Sequence, residues 1–326
     1  MPTSTTVLPI HSSLPKASQI AFGCMGLGGS WDNSPIDNGL INHAEAAVHS
    51  AVENGINFFD HADIYTMGKA ELCFGEVLKR QPQLRSNIYI QSKCGIRFED
   101  ATAPGRYDFS AQWLETSVDG ILQRLGIEYL DVLALHRPDP LMELDELATT
   151  LRALKAAGKY NHLGVSNMNA HQIQYLQSAL DMPLIVNQVE LSLVRREHFE
   201  FGVAPCIDPQ IDASFAGTLQ HCQTKGIQLQ SWGSLAQGLY CGRGDNSEHA
   251  NIRETSQLVA TLAGEYQVTK EAIVLAWLLR HSANIQAIIG TANPDRIKAC
   301  AQATQVKLSR EHWYQLLVSA RGQALP

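Results

Sequence analysis

The sequence predicts an α/β protein folded as a (β/α)8 barrel, and three observations lead there. Short apolar runs alternate with longer amphipathic stretches eight times along the 326 residues. The short runs are apolar almost throughout, the pattern of parallel strands buried on both faces. No linker rich in Pro, Gly or Ser interrupts the alternation, so it reads as a single barrel domain over residues 1–326.

The elements follow in order. Residues 20–23 form the first strand and 41–54 the first helix, with Gly55 placed to stop it. The second strand is 56–60 and its helix 69–80. The third strand is 88–93, and Ser110 stands as N-cap of a helix that Gly126 ends. Strand four, 130–136, precedes a helix over 144–157 closed by Gly158. Strands five and six are 162–166 and 184–188, with a helix over 170–180 between them. Strand seven is 227–232 and strand eight 285–290, and helices over 213–225, 269–281 and 294–301 separate or follow these. The amphipathic stretches 252–266 and 309–320 have no strand of their own and make two extra helices. The surplus length falls in long loops at the C-terminal face, chiefly 96–110, 191–212 and 236–251.

A doubly wound sheet is the alternative for such an alternation. It needs a Gly-rich first turn of the form GxGxxG that opens into a helix. The first turn here runs Gly23-Cys-Met-Gly26-Leu-Gly28-Gly29, and Trp31 stands where the last glycine would fall. These glycines read instead as tight turning and close backbone approach.

Composition narrows the function. Charged residues make up 17% of the chain, net charge is −7, and no like-charged run occurs. The basic footprint of a nucleic-acid binder is therefore missing. The longest apolar run, 272–279, is far short of the roughly 20 residues of a membrane span. Residues 1–15 lack a basic region followed by an apolar one, so no secretory signal is expected. Seven scattered cysteines (24, 73, 94, 206, 222, 241 and 300) never form CxxC, and the histidines form no ligand pair. That is the usage of a reducing compartment. The expectation is a cytoplasmic protein with no metal, no membrane and no nucleic-acid partner. No feature points to one oligomeric state.

In a barrel, chemistry gathers where strands end at the C-terminal face. The polar residues at those ends are Asp60, Lys93, His136, Ser166, Asn167 and Gln188, with Trp232 after strand seven. A buried lysine beside an aspartate stays charged, and a tyrosine near that lysine has its phenolate stabilised. Tyr65 lies five residues beyond Asp60 in the loop leaving the same strand. So tuned, with its pKa of about 10 lowered toward a usable value, it can give a proton to a carbonyl oxygen, which His136 can orient. No GxSxG nucleophile is present. The set points to carbonyl reduction by an external hydride. The Tyr65-to-Lys69 spacing also fits the YxxxK of short-chain dehydrogenases, but Gly68 and the strand-end position oppose the helical turn that motif needs. His61 and Asp63 flank the set and are expected to point elsewhere.

The chain resembles the aldo-keto reductase superfamily. The resemblance is carried by NFFDHADIY (57–65), QSKCG (91–95), LHRPD (135–139), GVSN (164–167), NQVE (187–190) and IGTANPDR (289–296), in the family's order. It implies a barrel that binds NADPH extended, without a Rossmann unit, and a tetrad of Asp60, Tyr65, Lys93 and His136. In it Tyr65 is the general acid, Lys93 tunes it, Asp60 holds Lys93, and His136 orients the carbonyl. Ser166, Asn167 and Gln188 match residues that bind the nicotinamide carboxamide, and Trp232 the aromatic that stacks on the ring. Arg296 and Thr291 match residues at the 2′-phosphate. Gly290 stands where many members carry lysine, and Ala299 and Cys300 replace a carboxylate and an amide near the adenine, which leaves NADH as the alternative cofactor. Amides near Leu235 and Gly238 match donors to the pyrophosphate, with Arg243 a weaker match. Met25, Trp31, Phe98 and Trp113 are the candidate apolar walls for a small aldehyde or ketone. A nucleotide-binding regulatory subunit with little turnover is the second reading.

Overall fold

The computed structural model describes residues 7–203 and 213–326. Its strands are β1 (Ile20–Gly23), β2 (Phe58–Asp60), β3 (Tyr89–Cys94), β4 (Ile96–Arg97), β5 (Arg106–Tyr107), β6 (Leu130–Leu135), β7 (Tyr160–Ser166), β8 (Leu184–Glu190), β9 (Gln228–Trp232) and β10 (Gln286–Ile289). Eight of them close a parallel barrel in the order β1-β2-β3-β6-β7-β8-β9-β10, and β10 pairs back onto β1. The remaining two, β4 and β5, form a small antiparallel hairpin within the long connection 96–110, where a loop is expected from the sequence.

The helices are α1 (Asn38–Glu53), α2 (Lys69–Arg80), α3 (Ala111–Leu125), α4 (Leu144–Ala156), α5 (Ala170–Gln177), α6 (Glu197–Val203), α7 (Thr218–Lys225), α8 (Ala250–Tyr266), α9 (Lys270–Leu279), α10 (Pro294–Ala301) and α11 (Arg310–Arg321). The predicted stop at Gly126 is met: it takes φ +65°, a conformation that disfavours a Cβ. Ser110 occupies the N-cap position of α3, but its hydroxyl donates to Asp108 Oδ1 instead of capping the helix. The helix expected over 213–225 begins only at Thr218. Gly217 at φ +70° breaks it, and Ala213–Phe215 forms a separate 3-10 turn. The short α6 lies in the insertion after β8 and was not anticipated; residues 204–212 of that insertion, Cys206 among them, lie outside the described residues.

The main core packs the outer faces of the strands against the helices. A second apolar cluster fills the lower barrel: Leu8, Ile10, Leu14 and Ala17 from the N-terminal segment meet Ala21, Phe58, Val132, Ile185, Val186 and Ile288. The 3-10 turn Pro9–Ser12 thus closes the floor and leaves the C-terminal mouth open for chemistry. The extra helix α11 is fastened by a reciprocal pair of tryptophans. Trp277 and Trp313 stack at 5.3 Å, and each indole N–H donates to the other's backbone carbonyl. Among the described residues no helix is long and apolar enough to cross a membrane.

Candidate active site

Asp60 ends β2 and Lys93 lies near the end of β3, two strands in direct register. Their side chains are almost completely buried and meet at 2.9 Å, Lys93 Nζ donating to Asp60 Oδ2. The ammonium has three N–H groups, and each finds an acceptor: Asp60 Oδ2, the His61 carbonyl at 2.7 Å and Tyr65 Oη at 3.0 Å. Burial alone would lower the Lys93 pKa, but Asp60 and Tyr65 outweigh it and push it up to about 12. Lys93 is a fixed cation.

Tyr65 reaches this cation because the loop after β2 is forced back on itself. Thr66 and Met67 adopt φ +47° and +61°, and the Thr66 hydroxyl donates to the Tyr65 carbonyl. Gly28 of the first turn packs directly on this loop: a Cβ there would overlap Thr66 Oγ1 and lie 2.6 Å from the Ala70 nitrogen. The same backbone excludes the YxxxK reading. Lys69 turns away from Tyr65 and bonds Asp32 Oδ1 at 2.6 Å.

His136 follows β6, with its ring edge-on to Tyr65 at 6.1 Å between centroids. Burial, then the charges of Lys93 and Arg137, hold its pKa well below the usual histidine range, so the ring is neutral. Its Nδ1 is buried without a partner. Tyr65 corrects one expectation. Burial raises its pKa more than Lys93 lowers it, so the phenol of the free protein keeps its proton more firmly than an ordinary tyrosine instead of less.

Of the flanking residues, His61 contributes only its carbonyl. Its ring stands edge-on to Phe74 at 4.6 Å, neither nitrogen has a partner, and burial pushes its pKa down to about 3. Asp63 lies behind the site, and burial pushes its carboxyl up to about 8.

The residues matched to the nicotinamide form one bonded group. Asn167, at φ +58°, donates from Nδ2 to Ser166 Oγ at 2.8 Å and accepts from Trp232 Nε1 at 3.0 Å. The Ser166 hydroxyl donates to the Gln188 carbonyl. Gln188 differs: its Nε2 turns into the barrel, to Asp60 Oδ1 and Gln230 Oε1, both at 3.1 Å. Only its amide oxygen is left for a ligand.

At the far end, α10 starts with Asn293 as N-cap, and Asn293 Oδ1 takes the backbone N–H groups of Asp295 and Arg296. The helix start is thus partly satisfied by its own cap. Thr291 Oγ1 accepts from the Asn293 nitrogen, and its hydroxyl proton remains free to donate. Arg296 is exposed and forms no ion pair among the described residues. Nothing lies within 4 Å of a Cβ at Gly290, while Cys300 is buried in the core. The Gly238 N–H donates to the Leu235 carbonyl at 2.8 Å, so the expectation of a free donor at Gly238 is corrected: the 3-10 turn Ala236–Cys241 uses it. Arg243 bonds Gln237 Oε1.

The predicted apolar walls are dispersed. Met25 and Trp31 are half-exposed on the first turn, Phe98 is exposed beyond β4, and Trp113 lies under the Arg97 guanidinium at 4.5 Å. None of them lines the cavity of about 140 Å³ that opens beside Asn167 and Trp232 and is walled by Arg137, Glu190, Arg195, Glu197, His198 and Phe215. Arg137 lies 5.7 Å over the Trp232 ring. It follows His136 directly in the sequence, which was signal enough to have found it.

Comparison with known proteins identifies the family and matches the fold. The model of the aldo/keto reductase family matches residues 19–317. A 6-dehydroglucose reductase from Agrobacterium fabrum is 33% identical over 94% of this chain and 96% of its own. Among solved structures, a glycerol dehydrogenase from Gluconobacter oxydans superposes with a TM-score of 0.77 at 21% identity, over 95% of this chain and 94% of its own. An aldo/keto reductase from Klebsiella pneumoniae, in complex with NADP and acetate, gives 0.68 at 22% identity, over 92% and 90%. The chain belongs to the aldo/keto reductase family of oxidoreductases.

Proposed function

We propose that the protein is an NADPH-dependent reductase of small aldehydes or ketones, with Tyr65 as its general acid. The observation that carries this reading is the buried chain from Asp60 through Lys93 to Tyr65, with neutral His136 facing the phenol. Bound nicotinamide supplies the hydride. As negative charge gathers on the substrate oxygen, Tyr65 Oη gives it a proton, and the charge left on the phenol oxygen faces an ammonium 3.0 Å away. Lys93 cannot swing aside, because Asp60 and the His61 carbonyl hold its other two N–H groups. His136, kept neutral by burial, donates one N–H to the same oxygen and fixes its direction.

The chain's own residues fit the cofactor. The second N–H of Asn167, held only loosely by the His136 carbonyl at 3.4 Å, and the Gln188 amide oxygen supply a donor and an acceptor for a carboxamide, and Trp232 offers a ring face beside them. Arg296, in the first turn of α10 and without an ion pair among the described residues, suits a 2′-phosphate and favours NADPH over NADH. The free thiols of the described cysteines fit a reducing, cytoplasmic setting. Family membership and the relative named for 6-dehydroglucose make hydroxylated aldehydes and ketones the first substrates to try. The test is a steady-state panel of carbonyl compounds with NADPH and with NADH. Turnover with NADPH, reduced at least about ten-fold in kcat/KM with NADH, is expected. Tight nucleotide binding with no turnover on any carbonyl would overturn the reading in favour of a regulatory subunit.

A further inference from the structure

The barrel interior below the tetrad holds an unexpected layer of amides. Barrel cores of this kind are usually filled by branched apolar side chains. Here Gln91, Gln188, Gln230 and Gln286 sit together, none more than 2% exposed. Gln230 of β9 is in register with Gln188 of β8 on one side and Gln286 of β10 on the other. Gln91 is the register neighbour of Asp60 and reaches across the barrel to Gln230.

The bonds diverge from Gln91 and Gln188, which donate both up to Asp60 and down to Gln230. Gln91 Nε2 donates to Asp60 Oδ1 at 2.7 Å and to Gln230 Oε1 at 2.9 Å. Gln188 Nε2 donates to the same two oxygens, both at 3.1 Å. Gln230 Nε2 then donates to Gln286 Oε1 at 2.8 Å, and Gln286 Nε2 to the Ser18 carbonyl at 2.6 Å. The ladder runs between two groups that accept: a carboxylate at the top and a backbone carbonyl at the bottom. Each amide orientation is therefore fixed by its neighbours. Gln91 Oε1 is left buried without a partner. Such an orphan is costly, and turning the amide over would set that oxygen against the Asp60 carboxylate. The demand of Asp60 for donors decides the orientation.

We propose that Gln230 is a positioning residue for the reaction: through Gln91 and Gln188 it holds two donors on Asp60 Oδ1 and so sets how much of the Lys93 charge is left for Tyr65. The proposal rests on the reading of Tyr65 as the acid. Gln230 itself bonds no member of the tetrad. The other titratable groups around the cluster are the Cys24 thiol, His61, Glu71 and His136, and Gln230 bonds none of them. Without the two amides firmly held, the Asp60 anion draws more on Lys93. Less of the ammonium then remains for the phenolate, and Tyr65 gives up its proton at higher pH.

The test is the pH dependence of kcat for Gln230→Leu and for Gln230→Met, which both remove the acceptor of the Gln91 and Gln188 amides without adding charge. In each variant the alkaline limb of carbonyl reduction is expected about half to one pH unit higher, a three- to ten-fold change in Tyr65 acidity. Nucleotide Kd and substrate KM stay within about two-fold of the parent. A limb that stays in place, or moves down, in a variant that folds and binds nucleotide overturns the proposal. If the parent chain reduces no carbonyl, the reading of the site fails, and the ladder is judged on Tyr65 ionisation itself. That is followed by the phenolate absorbance difference between each chain and its Tyr65→Phe counterpart, with the same upward shift expected and the same null result decisive.

Discussion

Replacing Lys93 by methionine separates the two tasks assigned to the ammonium, tuning Tyr65 and neutralising Asp60. Methionine nearly matches the length of lysine and fills the fully buried site, so the change removes charge more than volume. At 3.0 Å and an effective dielectric of about 20, ammonium and phenolate attract by about 5 kcal/mol, a ceiling of about four orders of magnitude in rate. A general acid contributes about 10²–10⁴-fold, so kcat for carbonyl reduction is expected to fall within that range. Asp60 is left as a buried carboxylate with only the Gln91 and Gln188 amides, which costs about 3–5 kcal/mol of stability. The second change, Asp60→Asn, removes that stranded charge. The double variant is therefore expected to regain about half or more of the lost stability and none of the activity. Urea unfolding gives the first quantity and NADPH consumption the second. Turnover of Lys93→Met close to the parent's, or a double variant no more stable than the single one, would refute the electrostatic account of the pair.

Other expectations rest on separate parts of the molecule. Arg296→Ala should weaken NADPH binding by about 1–3 kcal/mol, the scale of a lost charged hydrogen bond, and leave NADH nearly unchanged; a fluorescence titration of both nucleotides decides it, and equal losses would remove the 2′-phosphate role. Gly28→Ala places a methyl on Thr66 Oγ1 and the start of α2. It should cost about 1–3 kcal/mol in unfolding free energy and lower kcat by displacing the Tyr65 loop. The folded chain holds an Asp63 proton up to about pH 8 that the unfolded chain gives up near pH 4, so this contribution to stability is full below about pH 4 and is lost as pH rises toward 8. Asp63→Asn should abolish that part of the decline when urea unfolding is compared at about pH 5 and pH 8.

The alternation of apolar runs and amphipathic stretches was enough to read the barrel, because the eight barrel strands are buried on both faces over most of their length and most turns carry a glycine in a left-handed conformation. The tetrad was legible for a related reason: barrel geometry sends strand ends to one mouth, and Asp60, Tyr65, Lys93 and His136 are found bonded or facing one another there. What escaped was whatever depends on side-chain direction. Gln188 was recognised as a strand-end amide, yet which of its atoms faces the mouth is decided by Asp60 and Gln230 in three dimensions. Gln91, Gln230 and Gln286 look like ordinary polar strand residues until the register brings them together. Tyr65 acidity turned on a balance between burial and one ammonium, and spacing encodes only the ammonium. Among the pocket residues, large apolar side chains stand out in the sequence more than Arg137, although apolar residues scattered over a turn, a loop and a helix start have no reason to converge and a residue adjacent to His136 does.

The central claim is that Tyr65 gives the proton to the nascent alkoxide, and single-turnover reduction by the Tyr65→Phe variant tests it most directly. Phenylalanine keeps the ring against His136 and leaves Lys93 bonded to Asp60 and the His61 carbonyl, so the fold and the nucleotide site should survive. With NADPH bound as tightly as by the parent, the hydride-transfer rate is expected to fall by about 10²–10⁴-fold. A variant that binds NADPH and transfers hydride at the parent's rate would contradict the account.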